Sequence, residues 1–195
     1  MIYYYVCDVE KTQRNDRKRS ERRNRGLRRK IQRNHDNDIL IKRYGSDILD
    51  SEEFEVALAQ THHHRSSVGD HSIHTARAGL TMCSLINKAG IHIDLRKVVR
   101  ISLLHDLGML GRDVRYRNNN ECRHLHPANS AETARKLWTD MDPKSERAIM
   151  SHMWPLSDMR PNSREAVILC LADKVTAIGD RCNPKSRKIV SSILG

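Results

Sequence analysis

Aromatic residues are scarce in this 195-residue chain, with one Phe, two Trp and five Tyr among 38% hydrophobic residues. A core of that size with so few rings suits helices packed through Leu, Ile, Val and Ala. Long apolar runs are missing too. None approaches the roughly 20 residues needed to span a bilayer, which predicts no membrane contact. Residues 1–10 (MIYYYVCDVE) lack the basic start and apolar core of a secretory signal peptide. The five cysteines are odd in number and contain no Cys-x-x-Cys pair. They predict reduced thiols rather than a disulfide framework, and hence a cytoplasmic protein. The length suits one domain with a proper core.

Acidic residues are scarce in one segment only. Residues 11–33 hold twelve Lys or Arg against Asp16 and Glu21, leaving 23 bases and 22 acids elsewhere. The net charge of +11 therefore belongs to an arm. Between Lys11 and Asp38 only Gly26, Leu27 and Ile31 interrupt the polar sequence. That predicts a disordered segment or a solvated helix. Ile2–Val6 has strand propensity but no evident partner. Residues 1–45 are accordingly expected as a basic arm and residues 46–195 as the folded domain.

From Ser46 onward the spacing of apolar residues is helical. Helices are predicted over 46–60, over 68–88 with His71 heading one of two apolar faces, and over 95–107. Residues 111–125 read as a loop. Pro127 then suits the first turn of a helix through Trp138, with His126 near its cap. Asp142-Pro143 repeats that start signal for a helix ending near His152, and a last helix runs over 162–178. The prediction is an all-α domain.

Within this helical frame, His105-Asp106 interrupts the run VVRISLLHDLG. A carboxylate in such a place must be compensated. Either a divalent metal binds the pair, or the histidine is a core group bonded to its neighbour or to backbone. Asp173 raises the same question inside AVILCLADK. His71, His126 and His152 fall on, or at the ends of, other predicted helices. Singly, His126 can be a helix cap and His152 a residue interacting with a helix dipole.

In order, H…HD…H…H…D resembles the HD-domain superfamily of metal-dependent phosphohydrolases. The local wording is similar as well: Asp70-His-Ser72, Leu103-Leu-His-Asp-Leu-Gly108, His126-Pro127, His152-Met-Trp-Pro-Leu156 and Leu171-Ala-Asp-Lys174. The resemblance covers about residues 60–180 and implies an HD-type helical bundle. It further implies that His71, His105, Asp106 and Asp173 hold one metal. Asp106 would bridge to a second ion on His126 and His152, as in small bacterial two-metal HD hydrolases. Met153 replaces the second histidine of the cyclic-di-GMP phosphodiesterases, their Gly-Tyr-Pro motif is missing, and Met109 stands where a lysine often follows the HD pair. These departures disfavour a cyclic-di-GMP substrate.

The expected reaction is phosphoester or phosphoanhydride hydrolysis through a metal-activated water, on a nucleotide or other small phosphorylated substrate. A mixed nitrogen and oxygen ligand set suits one or two divalent ions, Fe, Mn or Zn. His105, Asp106 and Lys174 are the expected catalytic residues. His63, His64, Arg112, Arg115 and Lys174 are substrate-side candidates, although consecutive histidines and loop arginines are also ordinary solvated groups. Two alternatives stay open. One is a di-iron HD-fold oxygenase with the same ligands. The other is an HD protein associated with nucleic acid through residues 11–33, whose cations attract phosphate backbones.

Overall fold

The computed structural model describes residues 2–63 and 66–182, with side chains for residues 18–61 and 66–181. The chain separates into two units, Met1–Asp36 and the residues from Asn37 onward.

The first unit lies within helix α1 (Ile2–Leu49). Ile2–Val6 is thus helical rather than extended. Of the two expectations for the basic segment, the solvated helix is the one found: residues 18–33 are exposed on every side.

In the second unit, the end of α1 is a packed element. Ile41 and Ile48 are fully buried, so the packed core begins ahead of the start expected near Ser46. Two buried arginines explain how so polar a helix is held. Arg77 forks onto Asp38 at 2.6 and 2.8 Å. Arg100 forks onto Asp47 at 2.7 Å through both nitrogens and lies 4.8 Å above the Trp138 ring. Paired bonds of this kind satisfy a guanidinium that burial would otherwise penalise.

The helix predicted over 46–60 is broken in two. Ser51 takes the capping position of α2 (Glu52–Ala59), accepting from the Phe54 amide at 3.3 Å. Full burial of Phe54 is worth about 2 kcal/mol. A short antiparallel ribbon follows, β1 (Thr61–His63) and β2 (Ser66–Ser67). It is too short for alternation to register in sequence. Ser67 and Asp70 form a capping box at the start of α3 (Val68–Lys88). Helix α3 packs on α4 (Leu95–Leu104) and α8 (Arg164–Cys182), and α7 (Pro143–Met150) touches both of those. All described residues apart from the ribbon and loops are helical, and the fold is an all-α bundle.

The segment between α4 and α7 departs most from expectation. Residues 111–125 are not a loop: they hold a short α5 (Arg112–Arg115) and the first turns of α6 (Asn119–Leu137). Asn118 caps α6 by accepting from the Asn120 and Glu121 amides. A polar helix start thus passes for a loop in sequence. Pro127 is consequently inside α6, and His126 lies on its buried face, not at a cap.

Candidate metal centre

Five elements deliver the candidate residues to one place. His105 terminates α4, and Asp106 follows at φ −111°, ψ 4°, leading into a 3-10 turn over Leu107–Met109. His71 lies on the first turn of α3, His126 on α6, His152 just past the end of α7 and Asp173 on α8. His71, His105, Asp106, His126 and His152 are buried, and Asp173 is partly so.

Asp106 sits between two groups of histidines. Its Oδ2 is 3.8 Å from His71 Nε2 and 3.4 Å from His105 Nε2. Its Oδ1 is 3.4 Å from both His126 Nε2 and His152 Nε2. Asp173 Oδ1 joins the first group, 3.0 Å from His71 Nε2 and 3.8 Å from His105 Nε2.

The backbone fixes which nitrogen of three histidines faces the centre. Nδ1 donates to the Ser102 carbonyl in His105, the Cys122 carbonyl in His126 and the Ile149 carbonyl in His152, at 2.7–2.8 Å. A carbonyl can only accept, so each Nδ1 carries the proton and each Nε2 turns toward the centre. His71 is keyed differently, with Nδ1 3.0 Å from Asp180 Oδ2.

The carboxylates of this arrangement favour positive charge on the imidazoles nearest them. Burial opposes protonation of His71, but Asp173, Asp180 and Asp106 outweigh it and push its pKa up to about 10. His105 is also raised: burial works against its charge, and Asp106 and Asp173 favour it. Asp173 is driven far below the usual carboxylate range by His105 and His71, against the effect of its burial. His152 moves down instead, because burial and its neighbours His105 and His126 disfavour its charge more than Asp106 favours it.

Two features test the fit of a cation. His105 Nε2 is buried without a hydrogen-bond partner. His126 Nε2 and His152 Nε2 face each other at 3.0 Å, which sets two lone pairs together unless a proton or a metal lies between. Donors about 2.1 Å from one centre stand roughly 3.0–3.4 Å apart, and most of these distances are of that size. Two trios are so placed that each could hold a metal ion, His71, His105 and Asp106 in one and Asp106, His126 and His152 in the other. Asp173 stands beside the first trio.

Residues 68–178, more than half the chain, match the family model of the HD domain. The chain belongs to the HD domain family. No curated protein and no solved structure matches it. HD domains as a superfamily are metal-dependent phosphohydrolases, and the His/Asp cluster is of a kind that can hold their metal.

The HD centre opens into a cleft of about 1040 Å³. Asp106, His126, His152 and Asp173 lie at its wall, with Arg112, Arg123, Lys174 and Arg181 among the lining residues. Lys174 donates to the His152 and Cys170 carbonyls at 3.1 and 3.2 Å. Arg112 and Arg123 bond to the amide oxygens of Asn119 and Asn120. Arg115 is not among the lining residues. The His63 side chain and the whole of His64 lie outside the described residues. Sequence reasoning missed Arg181, His74 and Asp180, which are described by no local motif. The last two sit one turn after His71 and two turns after Asp173, and only that helical spacing signals them.

Proposed function

We propose that this HD domain is a phosphohydrolase acting on a nucleotide or another small phosphate ester or anhydride. One observation carries the reading: a carboxylate placed between two histidine groups, at the wall of a cleft lined by four cationic side chains. His71, His105, Asp106 and Asp173 would hold one ion of Fe, Mn or Zn, and Asp106, His126 and His152 a second. Such ions, when bound, supply an activated water and neutralise phosphoryl charge.

The remaining work falls to the chain itself. Lys174 adjoins Asp173 and brings an ammonium to the cleft, where a phosphoryl oxygen would accept from it. Arg112, Arg123 and Arg181 are available for further phosphate oxygens. Met109, Met153 and Leu156 give the same cleft apolar wall, suited to a nucleobase or another flat apolar group. The thiols of Cys122 and Cys170 are buried and free, with pKa values raised by burial, so neither offers a ready thiolate nucleophile. Free thiols accord with the cytoplasmic compartment we assign, and no described helix is long and apolar enough to cross a membrane.

The test is phosphate release over a panel of nucleotides and phosphometabolites, with Mn, Fe(II), Co and Zn added separately. Asp106→Ala and Asp173→Ala are the blanks. Activity in both blanks would overturn the reading, as would oxygen consumption without phosphate release by the iron-loaded protein.

A separate binding role is favoured by the basic helix. Lys18, Arg22, Arg25, Arg29 and Arg33 recur at i, i+4, i+7, i+11 and i+15 on one face and are all exposed. We propose that the basic residues 11–33 form an arm whose cations contact the phosphate backbone of nucleic acid; the packed residues from Asn37 onward belong to the folded unit instead. Replacing these five residues with Gln in the full chain should abolish a steeply salt-dependent affinity for duplex nucleic acid.

A further inference from the structure

We propose that Asp180, braced by His74, is the positioning residue that prepares His71 to bind metal; this rests on the metal-centre reading above. Three of the four histidines are keyed by a carbonyl three or four residues earlier in their own segment. His71 is the exception. It stands on the first turn of α3, and its Nδ1 meets a carboxylate from another helix, Asp180 Oδ2 at 3.0 Å.

The other oxygen of that carboxylate is also engaged. Asp180 Oδ1 accepts from His74 Nδ1 at 3.1 Å, and His74 lies one turn beyond His71 on α3. Two bonds from one helix face therefore fix the Asp180 rotamer, and only 6% of its side chain is exposed. With its Nδ1 proton donated to Asp180, His71 offers the Nε2 lone pair toward Asp106 and Asp173. Such outer carboxylates set the tautomer and raise the basicity of a metal-binding imidazole. Asp173 and Asp180 are seven residues apart, two turns of α8, so one helix supplies a carboxylate to each nitrogen of the same ring. Asp180 lies beyond residue 178, where the HD match ends.

The experiment is a Co(II) titration of the full chain against a competing chelator. Wild type should take up two ions. Asp180→Ala should weaken the ion near His71 about 10- to 100-fold, leaving the ion at His126 and His152 unchanged. Asp180→Asn keeps one acceptor oxygen and should fall between the two. In 15N spectra of the metal-free protein, recorded at a pH where the imidazole is seen to be neutral, His71 should favour the Nδ1–H tautomer in wild type and give a mixture in Asp180→Ala. Unchanged affinity in Asp180→Ala would overturn the positioning role. So would equal weakening of both ions, which marks a general structural defect. No Co(II) uptake by wild type would overturn both this proposal and the metal-centre reading.

Discussion

Asp106 divides its two oxygens between two histidine groups, so its removal and the removal of one histidine should differ in kind. By elemental analysis, Asp106→Ala should lose both ions, whereas His126→Ala should keep the ion near His71. Equal stoichiometry in the two variants would contradict a bridging carboxylate. The glycine two residues on is constrained by space. A Cβ at Gly108 would stand 2.3 Å from the His126 carbonyl oxygen and 2.4 Å from the Ser130 amide nitrogen. Gly108 also donates its amide to Ser130 Oγ at 2.9 Å, and its carbonyl accepts from Tyr116 at 2.6 Å. Neither the rigid backbone of α6 nor the 3-10 turn can yield cheaply. Gly108→Ala should therefore cost about 1–3 kcal/mol in denaturant melts and weaken metal binding, because the displaced turn carries Asp106 and the displaced helix carries His126.

Helix starts explain both the reach and the limits of the sequence. His105, Asp106 and Asp173 were legible because each interrupts an apolar run, where a polar group needs a reason; His71 was legible from its place at the head of an apolar helix face and from the order of the other candidates. His126 was legible as a candidate but misplaced: Asn118 begins α6 in a stretch of Arg and Asn that resembles a loop. Asp180 and His74 were not legible, since each lies in locally polar sequence and acquires meaning only from the packing of α3 against α8. Helix α7 shows an element start that sequence identified correctly, and it positions His152. Asp142 caps it, accepting from the Lys144 and Ser145 amides at 2.9 and 3.1 Å, with Lys97 at 3.0 Å. Burial pushes the Asp142 pKa up, but Ser145 and Lys97 together bring it down to about 2 from 3.8. A depressed folded-state value means the carboxylate stabilises above pH 3.8 and loses that contribution as pH falls toward 2. Asp142→Asn keeps a capping oxygen and should flatten the stability slope between pH 4 and 2 relative to wild type. Asp142→Ala should cost about 1 kcal/mol at neutral pH. Urea melts across that range measure both.

For the whole molecule, the interior is arranged around charges that the bundle alone does not balance. Carboxylates and imidazoles from α3, α4, α6, α7 and α8 converge where a globular protein ordinarily places Leu or Ile. Arg77 and Arg100 answer their own buried charge with paired carboxylates. The HD centre leaves His105 Nε2 without a hydrogen bond and two imidazole nitrogens facing each other. A cation bound only by the folded state draws these helices together and shifts the folding equilibrium by mass action. At a free concentration 100 times its dissociation constant, one ion adds about 2.7 kcal/mol. For a domain of this size that is roughly 5–11 °C in Tm. Thermal melts with added Mn, Co or Zn should rise by that order and return to baseline with chelator. Asp106→Ala should not respond, whatever its own starting stability, because it lacks the carboxylate that both histidine groups share. An equal rise in Asp106→Ala would place the stabilising ion elsewhere on the chain and remove the physical basis for reading this cluster as the metal centre.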